Sequence, residues 1–203
     1  MRLLILKFNE EKAIFRTYLK YLSGKTRGMR KLKLDELNRL SVTEFKDSDK
    51  IPVIVVLENI RSLSNVGAMF RTADAFKIEA IHLVGITARP PHREIQKTAL
   101  GATESVDWIH FETIDQSIEA TKSKGYKILS VEQTENSTSI EKLDQIDAVG
   151  VSIILGHEVD GVEQTTIEKS DYCIEIPQFG TKHSLNVGVC GGIVMYELWK
   201  KFG

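Results

Sequence analysis

The chain has 203 residues, 42% hydrophobic and 27% charged, with 27 Lys/Arg against 28 Asp/Glu for a formal charge of −1. Those values suit one ordinary globular domain with a short extension, large enough to bury a core. No apolar run approaches the roughly 18–20 residues a membrane span needs, and the opening MRLLILKFNEEK meets charge too early for a secretory signal, so a cytoplasmic location is expected.

Charge is unevenly placed. Residues 1–50 carry 13 Lys/Arg against 7 Asp/Glu, a balance of +6, and residues 51–203 carry 14 against 21, a balance of −7. The basic first segment is the natural place to touch phosphates, and a solvated helical face is the alternative. In chain order, residues 10–22 place Ile14, Tyr18, Leu19 and Leu22 at helical spacing before Ser23-Gly24 breaks the pattern. A second short helix is expected over Leu34 to Leu40, and polar SVTEFKDSDK then leads into Pro52. Residues 1–50 therefore read as a basic helical extension and residues 51–203 as the main domain.

From Ile51 the pattern changes to short β-branched runs of strand length: 52–58, 79–84, 105–111, 126–132, 149–155 and 171–176. Helical stretches separate several of them, at about 65–76, 93–100 and 114–124, and a last helix is expected over 185–200. Continuous apolar strands alternating with helices predict an α/β domain with a mostly parallel sheet covered by helices on both faces. Cys173 and Cys190 form no CxxC pair and have no His at a ligand spacing, which predicts reduced, buried thiols.

Such domains bind ligands at the carboxyl ends of their strands, which directs attention to three junctions. In LENIRSLSNVGAMFRTADAF (57–76), Ser64 is a plausible N-cap and Asn65 opens a helix with Arg71 further along. An Arg buried among Ala68, Ala73 and Ala75 demands an anionic partner, either a protein carboxylate or a bound phosphate. In IILGHEVDGV (153–162), an apolar strand ends at Leu155-Gly156, which lets a ligand approach, and Glu158 stands at the strand tip. The spacing of His157, Glu158 and Asp160 matches no metal-ligand pattern, so no metal is expected.

In IPQFGTKHSLNVGVCGGIVMYELWK (176–200), Ile176 ends a strand, a glycine loop follows, and Ser184, Leu185 and Asn186 stand where the final helix begins. Ser184 also reads as an N-cap. Gly188, Gly191 and Gly192 cost about 1 kcal/mol each against Ala in a helix and call for close packing.

Asn65-x-x-Ala-x-x-Arg71 after a strand, LGxExxGV at 155–162 and IPxxGxxxSLNV at 176–187 together resemble the three ordered motifs of the SpoU/TrmH RNA ribose methyltransferases, within the SPOUT superfamily, over roughly residues 53–199. Three positions depart from the family pattern: His157 stands where Asn is common, and in SLNVGVC Gly188 and Cys190 replace the Ser and Ala of SLNVSVA. The resemblance implies a deep C-terminal trefoil knot, S-adenosylmethionine held by backbone around Leu155, Gly156, Ile176 and Leu185, an RNA substrate, either tRNA or rRNA, and a homodimer. It also implies catalytic positions at Asn65, Arg71, Glu158, Ser184 and Asn186. The charge-rich first segment resembles the short helical extensions of tRNA-modifying members, which favours tRNA.

Methyl transfer to a ribose 2′-hydroxyl needs the oxygen held in line with the methyl carbon and its proton removed. A guanidinium keeps its proton to above about pH 12, so Arg71 is better suited to gripping the phosphate beside the ribose and stabilising the developing alkoxide than to acting as a base. Ser184 and Asn186 would orient the hydroxyl and Arg71, and Glu158 would fix Asn or Arg side chains. A non-catalytic RNA-binding protein that retains the fold is the rival reading. A serine hydrolase built on His183-Ser184 lacks both base geometry and nucleophile elbow.

Overall fold

A computed structural model describes residues 29–203. The helix expected over 10–22 lies outside the described residues. Contacts divide the chain into two compact units, one ending at Arg39 and the other spanning Leu40–Gly203. In the first, the helix expected over 34–40 is a single 3-10 turn, Leu34–Leu37, closed by Asn38 at φ 47. Arg30 clamps Glu36 there at 2.5 and 2.9 Å.

The second unit opens with α1 (Val42–Asp47), a helix in the stretch that reads as polar. It forms because Ser41 and Glu44 make a reciprocal capping box, and because Phe45 has the core to pack into. Seven strands follow: β1 (Ile51–Glu58), β2 (Ile78–Val84), β3 (Asp107–Phe111), β4 (Lys127–Val131), β5 (Thr138–Ser139), β6 (Val151–Leu155) and β7 (Tyr172–Glu175). They pair only in parallel, in the order β3-β2-β1-β6-β4-β7-β5. The expected parallel α/β sheet is thus present.

β1 and β6 read as continuous apolar runs because both of their faces are buried. Val53, Val55 and Leu57 pack on one side with residues of α2 (Leu63–Ala75) and α7 (Val187–Phe202). Ile54 and Val56 pack on the other with Ile118 of α5 (Ile114–Lys122) and Ile167 of α6 (Gln164–Ile167). Two further short helices, α3 (Arg93–Ala99) and α4 (Ala102–Ser105), pack against α2.

α2 buries Val66, Met69, Phe70 and Ala73, and α7 buries Gly191, Val194, Met195 and Leu198, each an i, i+3, i+4, i+7 stripe. A Cβ on Gly191 would lie 2.4 Å from Met69 Cε and 3.0 Å from Leu155 Cδ1, so the packing reason expected for this glycine is α7 lying on α2 and β6.

The chain runs outward from β1 to β2 and β3, crosses back past β1 to β4 and edge strand β5, and then inserts β6 between β1 and β4 and β7 between β4 and β5. Because every pairing is parallel, the carboxyl ends of the strands share one edge of the sheet, where open α/β sheets bind their ligands.

Candidate active site

At this edge a cavity of about 630 Å³ is walled by the ends of β4, β6 and β7 and by the start of α7. Leu155, Gly156, Ile176, Ser184, Leu185 and Asn186 all line it. Its volume lies in the range of small-molecule sites, roughly 300–1,000 Å³, and its walls mix aliphatic side chains with a few polar groups. Gly156 allows the loop after β6 to fold onto itself: a Cβ there would sit 2.2 Å from the carbonyl of Gly161 and 2.3 Å from the Val162 nitrogen. The same loop is closed by the Gly161 N–H donating to the His157 carbonyl at 2.9 Å.

Glu158 ties this loop to the end of β1. Its Oε1 accepts from the Ser62 N–H at 2.9 Å and from Asn65 Nδ2 at 3.0 Å, and its Oε2 accepts from the Arg61 N–H at 3.0 Å. Burial pushes the carboxyl up, but the two backbone donors and the Asn65 amide outweigh it and hold Glu158 below the usual carboxylate range. Glu158 is therefore an ionised anchor at neutral pH, already engaged by three donors, and a poor base.

Asn65 passes the connection on. Its Oδ1 accepts from Asn186 Nδ2 at 3.2 Å, and Asn186 Oδ1 accepts the N–H groups of Gly188 at 2.9 Å and Val189 at 3.2 Å. One chain of hydrogen bonds thus runs from Glu158 through Asn65 to Asn186, joining residues 93 and 121 positions apart.

Two capping expectations are corrected. Asn186, not Ser184, caps α7, which begins at Val187 and extends to Phe202, leaving Ser184 exposed on the cavity wall. Ser62, not Ser64, caps α2.

Arg71 also differs from expectation: it is exposed, and among the described residues it makes no ion pair or side-chain hydrogen bond. The alanines near it are not its burial, because the buried stripe of α2 runs through Val66, Met69, Phe70 and Ala73. Arg71 follows Ala68 by one turn, and Ala68 Cβ is 3.8 Å from where a Gly188 Cβ would lie, so the guanidinium leaves α2 on the row next to the start of α7. It does not line the cavity.

Both cysteines are free and only half-buried. Burial, with the negative charge of Glu132 adding, pushes the Cys190 thiol up to about 11, so it stays protonated beside the cavity. His157 Nδ1 lies 3.0 Å from Asp160 Oδ2 and 3.3 Å from the N–H groups of Val159 and Asp160, and so belongs to its own turn. Among the described residues no group of three or more His, Cys, Asp and Glu gathers to hold a metal, and no helix is long and apolar enough to cross a membrane.

Sequence reasoning missed the backbone N–H groups of Arg61 and Ser62, which no side-chain pattern reports. It also missed Glu132 and Gln133 at the end of β4, where the strand-end rule would have found them.

The model of the SpoU rRNA methylase family matches residues 52–196. A TrmH-family protein of Staphylococcus saprophyticus is 29% identical over 160 residues, covering 79% of this chain and 63% of its own length. A 23S rRNA (guanosine-2′-O-)-methyltransferase of Coxiella burnetii is 30% identical over 174 residues, 83% of this chain and 65% of its own. This chain thus spans less than two thirds of either relative.

Among solved structures, the fold is shared with an AdoMet-bound rRNA methyltransferase from Sinorhizobium meliloti, at TM-score 0.69 and 23% identity over 77% of this chain and 59% of that one. It is shared equally with a TrmH/SpoU tRNA modifying enzyme of A. aeolicus, at TM-score 0.69 and 22% identity over 79% and 81%. With the family match reaching across all three junctions, two of which line the cavity while the first is tied to them through Asn65, the chain belongs to the SpoU rRNA methylase family.

Proposed function

We propose that this chain transfers a methyl group from S-adenosylmethionine to a ribose 2′-hydroxyl of tRNA or rRNA, with tRNA favoured by the basic first segment. The observation that carries the reading is the Glu158–Asn65–Asn186 chain, whose two ends line a cavity of nucleoside size, since it joins all three motifs. When bound, the cofactor supplies an electrophilic methyl on a sulfonium. Leu155, Gly156, Ile176 and Leu185 fit it as the apolar and backbone walls of the cavity.

The chain's own groups position the acceptor. Arg71, exposed and without a protein counter-ion among the described residues, grips the phosphate beside the target ribose and stabilises the developing alkoxide with its planar fork. Asn186 is held in place by Asn65, and the exposed Ser184 hydroxyl beside it orients the ribose oxygen. The proton leaves to phosphate or water, since Glu158 is occupied by its three donors.

The active form is a homodimer in this reading. Val189, Ile193, Tyr196 and Trp199, at 54, 37, 46 and 42% exposure, form an apolar stripe along α7 that a second copy would cover. A C-terminal trefoil knot belongs to the same reading; the chain after β4 and the chain after β7 meet where Gln133 Nε2 donates to the His183 carbonyl at 2.9 Å.

Incubation with methyl-tritiated S-adenosylmethionine and total tRNA or rRNA from cells lacking the protein tests the reading. Acid-precipitable label in one RNA class is expected. RNA binding without label would establish the non-catalytic alternative.

A further inference from the structure

β4 is followed by Glu132 and Gln133, and the two side chains reach the two loops that wall the cavity. Glu132 Oε2 accepts the Val162 N–H at 3.1 Å, and its Oε1 accepts the Gln133 N–H at 2.8 Å. Gln133 Nε2 donates to the His183 carbonyl at 2.9 Å. A Cβ on Gly161 would lie 2.2 Å from Glu132 Oε2, so the loop after β6 is seated directly on this carboxylate.

The charge of the wall is one-sided. Glu132, Glu158, Asp160 and Glu175 line the cavity, and among the described residues no Lys or Arg does. Glu158 is spent on Arg61, Ser62 and Asn65, and Asp160 faces His157. Glu132 has two N–H donors and, among the described residues, no cation. Each of its oxygens keeps acceptor capacity, and the backbone fixes its position. Such a carboxylate, preorganised in a cavity whose described lining has His157 and His183 but no Lys or Arg, selects a ligand that carries positive charge.

We propose that Glu132 is a cofactor-recognition residue whose carboxylate pairs with the positive charge of S-adenosylmethionine, an inference that rests on the methyltransferase function proposed above. Two groups of the cofactor carry that charge, the α-ammonium and the sulfonium. The spent product, S-adenosylhomocysteine, keeps only the ammonium, and methylthioadenosine has neither.

Calorimetric titration of the intact protein and of Glu132→Gln with these three ligands tests the proposal. The amide retains an oxygen for the Val162 N–H but no charge, so S-adenosylmethionine affinity is expected to fall about tenfold while methylthioadenosine affinity stays within about twofold. An equal tenfold loss for S-adenosylhomocysteine identifies the ammonium as the partner, and a loss confined to S-adenosylmethionine identifies the sulfonium.

Unchanged S-adenosylmethionine affinity, or an equal loss for methylthioadenosine, overturns the proposal. A wild-type protein that binds none of the three overturns the function itself. The unsubstituted protein gives a second readout that needs no variant. Its S-adenosylmethionine affinity should weaken as salt rises while its methylthioadenosine affinity does not, and parallel salt curves would contradict the charge pairing.

Discussion

Replacing Glu158 by Gln separates an anchoring carboxylate from a catalytic base. The wild-type carboxylate accepts from the Arg61 and Ser62 N–H groups and the Asn65 amide at 2.9–3.0 Å. Glutamine has one acceptor oxygen. If that oxygen faces Ser62 and Asn65, its NH₂ group meets the Arg61 N–H; the reverse rotamer leaves two donors opposed. At least one charge-assisted bond, worth about 1.5–3 kcal/mol, is lost whichever way the amide turns. The group is only half-buried and water can take the freed donor, so the net cost sits lower, about 1–2 kcal/mol.

For a chain of this length that is a drop in melting temperature of roughly 2–8 °C. The pH dependence carries the same signature. A carboxyl held below its unfolded value contributes stability that is present above the unfolded pKa and lost as pH falls through the folded one. The wild-type protein should therefore lose stability relative to Glu158→Gln as the solution is acidified through the folded pKa of Glu158, and the difference between them should close. Denaturant melts of both proteins from neutral pH down to about pH 3 measure this. Equal midpoints at neutral pH, together with abolished methylation, would refute the anchor and make Glu158 the base.

Other perturbations probe the remaining parts of the site. Asn186→Ala removes the α7 cap and should cost about 1 kcal/mol in a urea melt, whereas Asn186→Ser should recover most of that stability yet remain impaired in methyl transfer because it cannot reach Asn65. Arg71→Lys should leave the melting midpoint within about 0.5 kcal/mol of wild type, the side chain being exposed, while RNA affinity and turnover fall at least about tenfold. Gly156→Ala must push the Gly161 backbone away, so it should destabilise by about 1–3 kcal/mol and speed amide exchange at Gly161, read by NMR. Charge on the α7 stripe, as Ile193→Glu, should shift the species seen in analytical ultracentrifugation from dimer to monomer.

The central strands are legible in the sequence as continuous β-branched apolar runs because both faces are buried, Val53, Val55 and Leu57 in one layer and Ile54 and Val56 in the other, and the long helices are legible because their burial is periodic. What local pattern does not contain is the strand order, which depends on pairings between distant segments. Motif order located Asn65, Glu158 and Asn186, but the hydrogen bonds that join them cross 93 and 121 residues.

Capping was ambiguous for a physical reason, since Ser184 and Asn186 both suit an N-cap and only the path of the preceding loop decides between them. The burial expected for Arg71 failed because small neighbours signal close packing on their own face of a helix and not on the next one. α1 escaped notice because a six-residue helix with one buried Phe has too few apolar positions to show a period.

The position of the transferred methyl tests the central claim most directly. RNA labelled by the protein from tritiated S-adenosylmethionine is hydrolysed in alkali, which cleaves every linkage with a free neighbouring 2′-hydroxyl. A 2′-O-methyl group predicts label in alkali-resistant dinucleotides, and Arg71→Lys predicts its loss. Label released in mononucleotides, on a base, would contradict an arginine that grips phosphate beside a ribose acceptor.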